Sequence, residues 1–409
     1  MKLHLHGPTT NILNAHLQIT GSKSETNRSL LLAALYKNIA IENPSNSDDA
    51  QVMRAGLEKK GGLVDIHHAG TAMRFLTSYF ASRPNMEIEL TGSQRMTERP
   101  IKILVEALRS LGAEIAYLKN EGYPPLRISG KELTENKVSL PANVSSQYIS
   151  SLLLVAPSLK NGIEVELVGE ITSVPYIKMT LALLNEIGVE TRFTGQTIRV
   201  FPMAEADPLT LTVESDWSSA SYFYSMVAMA QVGSEITLSA YKRKSLQGDS
   251  VLASIYTHFG VTTQYGQDNI TLKKASVHDS KKLQVDLINA PDIAQTIAVT
   301  CFGLGAECLL TGLHTLKIKE TDRLVALETE LKKMGANITV TDKTLQLGMA
   351  QQIRSGVAID TYNDHRMAMA FAPMALKTDV IINDAGVVSK SYPDFWADMQ
   401  TLGFQVIEL

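Results

Sequence analysis

The chain has 409 residues, 44% of them hydrophobic and 20% charged, with 38 lysines and arginines against 42 acidic residues and a net charge of −4. Such a composition supports two ordinary domains with sizeable cores, excludes disorder and fibres, and offers no global field for nucleic acid or an anionic membrane. Any anion must be met by cations concentrated locally. Only two cysteines occur, Cys301 and Cys308, which excludes a disulfide scaffold or a cysteine-rich zinc module and leads us to expect a cytoplasmic protein.

Residues 1–8 alternate as a short strand and lack the continuous apolar core of a secretory signal. Next, Gly21-Ser22-Lys23-Ser24-Glu25-Thr26-Asn27-Arg28 opens a helix over 29–35, with Ser22 and Glu25 spaced as a capping box and Ser24 and Arg28 on one face. Gly70, Thr71 and Arg74 open a second helix, Ser145-Ser146-Gln147 precede a third, and Ser173 to Tyr176 open a fourth with proline in its first turn. In the second half, helix starts carry Asp216, Pro291-Asp292, Lys319 to Arg323, Asn363 to Arg366, and Lys390 to Pro393. Residues 293–313 are the nearest approach to a membrane span, but Gln295, Gly303, Gly305 and Glu307 interrupt them, so the stretch reads as helix, turn and strand.

One pattern recurs six times: an amphipathic helix end, a glycine, then alternating apolar residues, at Gly61-Gly62, Gly112, Gly188, Gly260, Gly335 and Gly403. Glycine there is a left-handed helix C-cap with a strand after it. Between these copies lie small-residue apolar helices leading into strands at 39–41, 86–90, 163–167, 235–238, 306–310 and 379–382. A spacing of roughly 50 to 75 residues suits a βαβ-type module, and six modules suggest two domains of three. The least periodic polar stretch, 204–208, puts the crossing near 205–215.

Free N–H groups and the positive dipole end make a helix N-terminus attractive to anions, and each of these starts adds hydroxyl, amide or cationic side chains. If the starts point one way they make a cationic cleft, in which Asp292, Glu320 and His365 are general acid or base candidates. Singly, Ser22, Ser173 and Ser218 read as caps, and the run from Lys319 to Arg323 as a solvated ionic face. The conjunction tips the balance. Gly21-Ser22-Lys23-Ser24 is not a Walker loop, because Ser22 stands where glycine must precede the lysine. His67-His68, with His4 and His6, lack a carboxylate at helical spacing, so no metal is expected.

Gly21 to Ser24 with Asn27-Arg28, Ala69 to Arg74, Arg95 through Arg99-Pro100, Ser145 to Gln147, Lys319 to Arg323 and Asn363 to Met369 together resemble, in order and along essentially the whole chain, the 5-enolpyruvylshikimate-3-phosphate synthase family. The resemblance implies an α/β (α+β) fold: a two-domain inside-out barrel of six βαβαββ repeats, three per domain. It implies that residues 1–19 join 215–409, that 20–214 form an inserted domain, and that the active site lies in the inter-domain cleft. The implied reaction transfers the enolpyruvyl group of phosphoenolpyruvate to the 5-hydroxyl of shikimate 3-phosphate and releases phosphate, on the route to chorismate and aromatic amino acids. No cofactor or metal is implied; the partners are the two small molecules, with no nucleic acid or membrane, and the protein is expected to be a monomer.

Carried over by residue, the resemblance assigns Lys23, Ser24, Arg28, Ser145, Ser146, Gln147, Ser173, Tyr176, Asp292 and Lys319 to shikimate 3-phosphate, and Lys23, Gly70, Arg95, Gln147, Arg323, Arg366 and Lys390 to phosphoenolpyruvate. Asp292 would take the attacking hydroxyl's proton, Glu320 would act in proton transfer at the enol methylene, and Lys23 would assist. His68, Phe75 and Thr315 stand where the family often has asparagine, proline and asparagine. Two alternatives stay open: the related UDP-N-acetylglucosamine enolpyruvyl transferase, whose loop cysteine in the first half has no counterpart, and a non-catalytic binding protein of this fold.

Overall fold

A computed structural model describes all residues except 11, 143–144, 170, 172–173, 279–281 and 350–351. Two compact units emerge, one made of Met1–Thr20 with Glu214–Leu409 and the other of Gly21–Val213.

In the unit Gly21–Val213, three helices, Lys23–Leu35, Gly70–Ala81 and Ser146–Val155, pack against one another. Every residue of Gly70–Ala81 is buried, as expected of a helix whose residues are mostly small or apolar on all sides; its one charged side chain, Arg74, donates to the Gly70 and Pro100 carbonyls. The covering sheets present one face inward: the strand Ile163–Val168 alternates, with Ile163, Val165 and Leu167 fully buried. Two four-stranded sheets share one pairing order. Gly62–Asp65 runs parallel to Glu87–Thr91, which pairs antiparallel with Leu126–Ser129, itself antiparallel to Glu114–Tyr117. Lys137–Pro141, Ile163–Val168, Thr197–Val200 and Thr191–Thr194 repeat that order. Ile39–Glu42 and Leu209–Thr212 form a parallel pair.

The other unit has three four-stranded sheets of the same parallel, antiparallel, antiparallel order, around the buried helices Trp217–Met229, Ala294–Leu304 and His365–Phe371. Asn14–Leu17 pairs parallel with Glu235–Ser239, which continues into Asn269–Lys274 and Val261–Tyr265. Lys282–Asp286, Glu307–Thr311, Leu345–Leu347 and Ile338–Val340 form the second. In the third, Val357–Ile359 lies parallel to Val380–Ile382, and the closing antiparallel pair comes from opposite ends of the chain, Leu3–His6 and Gln405–Glu408.

All six expected strands occur, and the glycines that end the exposed helices have positive φ, from +74° at Gly260 to +104° at Gly112. The suspected span resolves into the helix Ala294–Leu304, a turn at Gly305 and the strand Glu307–Thr311. Among the described residues no helix is long and apolar enough to cross a membrane. Cys301 and Cys308 are free and buried, and burial together with the neighbouring sulfur pushes the Cys301 thiol well up.

Candidate active site

The unit Gly21–Val213 gathers polar groups at the first turns of its helices. The first helix begins at Lys23, so the predicted opening cluster lies within it, ahead of the apolar run from Leu30. Ser22 holds the N-cap position, but its hydroxyl makes no capping bond and Glu25 is buried, so the expected capping box does not form. The Lys23 ammonium stands 3.1 Å from Asp49 Oδ2, and His68 Nε2 lies 3.6 Å from the other oxygen of Asp49. Asp49 follows Ser47, which caps the helix Asp48–Leu57, and no motif reading had singled it out.

Arg28 is only 2% exposed. Its Nε donates to Thr180 Oγ1 at 2.8 Å, Nη1 to the Ser24 carbonyl at 2.7 Å, and Nη2 to Ser150 Oγ at 3.0 Å and the Tyr176 carbonyl at 3.5 Å. Phe75 and Tyr176 place ring centroids 5.4 and 5.9 Å from the guanidinium carbon, within cation–π range. Burial lowers the guanidinium to about 10. Arg28 therefore joins the first turns of Lys23–Leu35 and Val174–Glu186 to Ser150 of Ser146–Val155, a structural duty that the sequence does not advertise.

Ser145 caps the helix Ser146–Val155 by accepting from the Gln147 N–H, and Gln147 Nε2 donates to Thr71 Oγ1 at 3.1 Å. That bond brings the start of Ser146–Val155 to the start of Gly70–Ala81. A Cβ on Gly70 would fall 2.6 Å from Arg99 Nη1, so the absent side chain makes room for Arg99. Arg95 sits on the short helix Gln94–Thr97, half exposed, with Glu98 at 3.2 Å. Ser173 lies outside the described residues.

The second cluster belongs entirely to the other unit and is denser. Arg323 opens the helix Arg323–Lys333 and is 2% exposed. Its Nε donates to Asp364 Oδ2 at 2.7 Å, Nη1 to Asp292 Oδ1 at 2.8 Å and Nη2 to Glu320 Oε2 at 2.7 Å. One guanidinium so collects three carboxylates, and their charges hold its proton more tightly than burial loosens it. Arg366, in the first turn of His365–Phe371, donates through Nη2 to Asp292 Oδ2 at 3.3 Å and to Ser218 Oγ at 3.2 Å. Lys319 Nζ is 3.4 Å from Asp292 Oδ1. Burial alone would raise the Asp292 carboxyl, but Lys319, Arg366 and Arg323 together hold it far below the ordinary carboxylate range.

Asp249, like Asp49, is a residue that the sequence reading missed. It is buried, and its Oδ2 accepts from the Ser218 hydroxyl. Burial and the negative charge of Asp292 push its carboxyl up to about 7, against the pull of Arg366 and Ser218. Ser218 is accordingly more than a cap: Asp216 caps the helix Trp217–Met229, and the Ser218 hydroxyl connects Asp249 to Arg366. Asp364 was visible only as part of a cluster; it caps its helix by accepting from the Arg366 N–H at 2.9 Å and binds Arg323. His365 is buried beside it, with Nδ1 3.9 Å from Asp364 Oδ1. Lys390 does not open a helix as expected. It ends the short 3₁₀ helix Ala385–Lys390, and its ammonium donates to the Asn363 carbonyl at 2.7 Å and to Asn363 Oδ1 at 2.6 Å.

Basic and hydroxylic groups at helix starts, set beside largely buried carboxylates that differ widely in proton affinity, define a protein equipped for acid–base chemistry on small anions. The sequence profile of EPSP synthase (3-phosphoshikimate 1-carboxyvinyltransferase) matches residues 57–399. A 3-phosphoshikimate 1-carboxyvinyltransferase of Bacteroides fragilis is 46% identical, over 96% of this chain and 96% of that one. One from Histophilus somni is 34% identical over 95% and 96%. The chain belongs to the EPSP synthase family. Among solved structures, an EPSP synthase of Acinetobacter baumannii has a TM-score of 0.81 at 21% identity with both chains fully covered, and the enolpyruvyl transferase NikO of Streptomyces tendae one of 0.73 at 15% over 99% and 98%; these two show a shared fold.

Proposed function

We propose that the protein transfers the 1-carboxyvinyl group of phosphoenolpyruvate to the 5-hydroxyl of shikimate 3-phosphate, giving 5-enolpyruvylshikimate 3-phosphate and phosphate. Family membership narrows the chemistry, and one observation carries the reading at the level of residues: Asp292 is a largely buried carboxylate kept ionised by three cations. Addition requires the hydroxyl oxygen to bond to C2 of phosphoenolpyruvate while C3 gains a proton. Elimination then breaks the bond from C2 to the phosphate oxygen and removes a proton from C3. Asp292 takes the hydroxyl proton, Glu320 moves the proton at C3 with Lys23 assisting, and Arg323, Arg366, Lys390 and Arg95 answer the carboxylate and phosphate of the donor. Lys23, Ser24, Arg28, Ser145, Ser146, Gln147, Ser173, Tyr176 and Lys319 serve shikimate 3-phosphate, and Gly70 with Gln147 serves the donor.

So low a proton affinity makes Asp292 a weak base while the cations attend to it. Arginine and lysine cannot serve both partners fully, and an arriving phosphate or carboxylate draws Arg366, Arg323 and Lys319 away. The proton affinity of Asp292 then rises toward the range useful for general base catalysis. Substrate binding thus switches the base on.

This reading takes the five parallel, antiparallel, antiparallel sheets together with the parallel pair of Ile39–Glu42 and Leu209–Thr212 as six βαβαββ units forming an inside-out barrel, three in 20–214 and three in 215–409 with 1–19. A cytoplasmic setting goes with the free, buried cysteines. Phosphate release from purified protein tests the assignment. Release is expected only when phosphoenolpyruvate and shikimate 3-phosphate are both present; none with that pair, or release with UDP-N-acetylglucosamine as acceptor, overturns it.

A further inference from the structure

The sheet that contains the strand Leu3–His6 carries a group of side chains that the proposed reaction does not use. Leu3 and Leu5 point into the core, so His4 and His6 share the opposite face. Pairing with Val380–Ile382 sets His4 against Ile381, and one step further on His6 Nδ1 lies 2.8 Å from Asp379 Oδ1. The two imidazole centroids are 4.1 Å apart. One nitrogen of each ring and one carboxylate oxygen all fall within 4.8 Å of one another. His4 Nε2 is buried and has no hydrogen-bond partner among the described residues, a costly state for a ring nitrogen. His6 and Asp379 keep side-chain exposures of 29% and 48%, enough for an ion to enter.

We propose that His4, His6 and Asp379 form a binding site for a divalent transition-metal ion of the zinc type, completed by water and separate from the residues assigned to the reaction. Two imidazoles and a carboxylate are the borderline nitrogen and oxygen donors that zinc takes, whereas magnesium and calcium prefer all-oxygen shells. Tetrahedral zinc with bonds of about 2.0–2.1 Å places its donors roughly 3.4 Å apart. The widest gap therefore closes by side-chain rotation, and the tight contact between His6 and Asp379 opens slightly to admit the ion. Bound there, the metal joins Leu3–His6 to the segment entering Val380–Ile382, two pieces of chain far apart in sequence, so it stabilises their unit by mass action.

Tag-free protein, stripped with chelator, should take up one equivalent of Zn²⁺ in competition with a chromophoric chelator, ignore Mg²⁺, and melt at a higher temperature with zinc than without. His4→Gln, His6→Gln and Asp379→Asn should each weaken zinc at least ~10-fold and remove the thermal shift. Phosphate release from phosphoenolpyruvate and shikimate 3-phosphate should be unchanged in His4→Gln, which also shows that the variant folds. No uptake by the wild-type chain, or uptake that none of the three substitutions weakens, overturns the proposal. Because the readout is binding, its failure is distinct from failure of the reaction assignment.

Discussion

Replacing Asp249 by asparagine tests the electrostatics of the second cluster most directly. In the folded unit its carboxyl is pushed up to about 7 by burial and by Asp292, whereas an unfolded aspartate titrates near 3.9. The folded state therefore holds the proton more tightly. Below about pH 4 the group is protonated in both states; between about 4 and 7 only the native state keeps the proton, and stability falls as pH rises, by at most ~1.4 kcal/mol per pH unit. Across the window the loss reaches about 4 kcal/mol, after which the dependence flattens. Asp292 has the opposite sign, since its proton affinity is depressed: the stability it adds is complete once pH exceeds about 5, so it does not mask Asp249 above that point. Asparagine retains an oxygen for the Ser218 hydroxyl and loses the titration. Urea unfolding followed by tryptophan fluorescence is selective here, because the only two tryptophans, Trp217 and Trp396, lie in the same unit as Asp249. The stability of Asp249→Asn relative to wild type should climb by about 1 kcal/mol per pH unit between pH 5 and 7 and level off by pH 8. A difference that stays constant across that range, or falls, refutes the account.

Asp292→Asn should lower kcat for phosphate release by about 10² to 10⁴-fold while the unit still folds, since Arg323 keeps Asp364 and Glu320; a kcat within twofold of wild type would remove Asp292 from the mechanism. Arg28→Met leaves the Ser150 and Thr180 hydroxyls without their buried partner and should destabilise the unit Gly21–Val213 by about 2–4 kcal/mol, seen in calorimetry and absent from the tryptophan signal. Gly70→Ala meets the far end of the flexible Arg99 side chain, so circular dichroism should be unchanged while KM for phosphoenolpyruvate rises. The phosphonate glyphosate should inhibit the wild type competitively with phosphoenolpyruvate and the alanine variant more weakly; equal inhibition of both proteins would detach Gly70 from the donor site.

What the sequence made legible follows from which interactions are local. Glycine C-caps, apolar alternation and polar residues at helix starts act within a few positions, so the six recurring helix ends and the strands after them could be read directly. Arg323 could be picked out as a cation at a helix start, yet nothing in its neighbourhood announces that three carboxylates from 292, 320 and 364 converge on it. Asp249 was invisible for the same reason: its pattern is that of any surface acid near a turn, and only burial against Ser218 and Asp292 gives it an unusual proton affinity. Asp379 is the extreme case. His4 and His6, grouped with His67-His68, have no carboxylate near them in sequence, so no metal is expected from the sequence; the carboxylate that meets them lies 373 residues beyond His6, delivered by an antiparallel register. The same long-range logic governs the charges. On the proposed reaction, a chain with a net charge of −4 would meet small anions through Lys319, Arg323 and Arg366, and the carboxylates packed against them would keep those cations from binding anions indiscriminately. A substrate must offer enough negative charge, in a suitable place, to replace Asp292 as their partner. Selectivity for doubly anionic substrates and activation of the base are then one electrostatic exchange, which is why removing any single cation should alter affinity and proton transfer together.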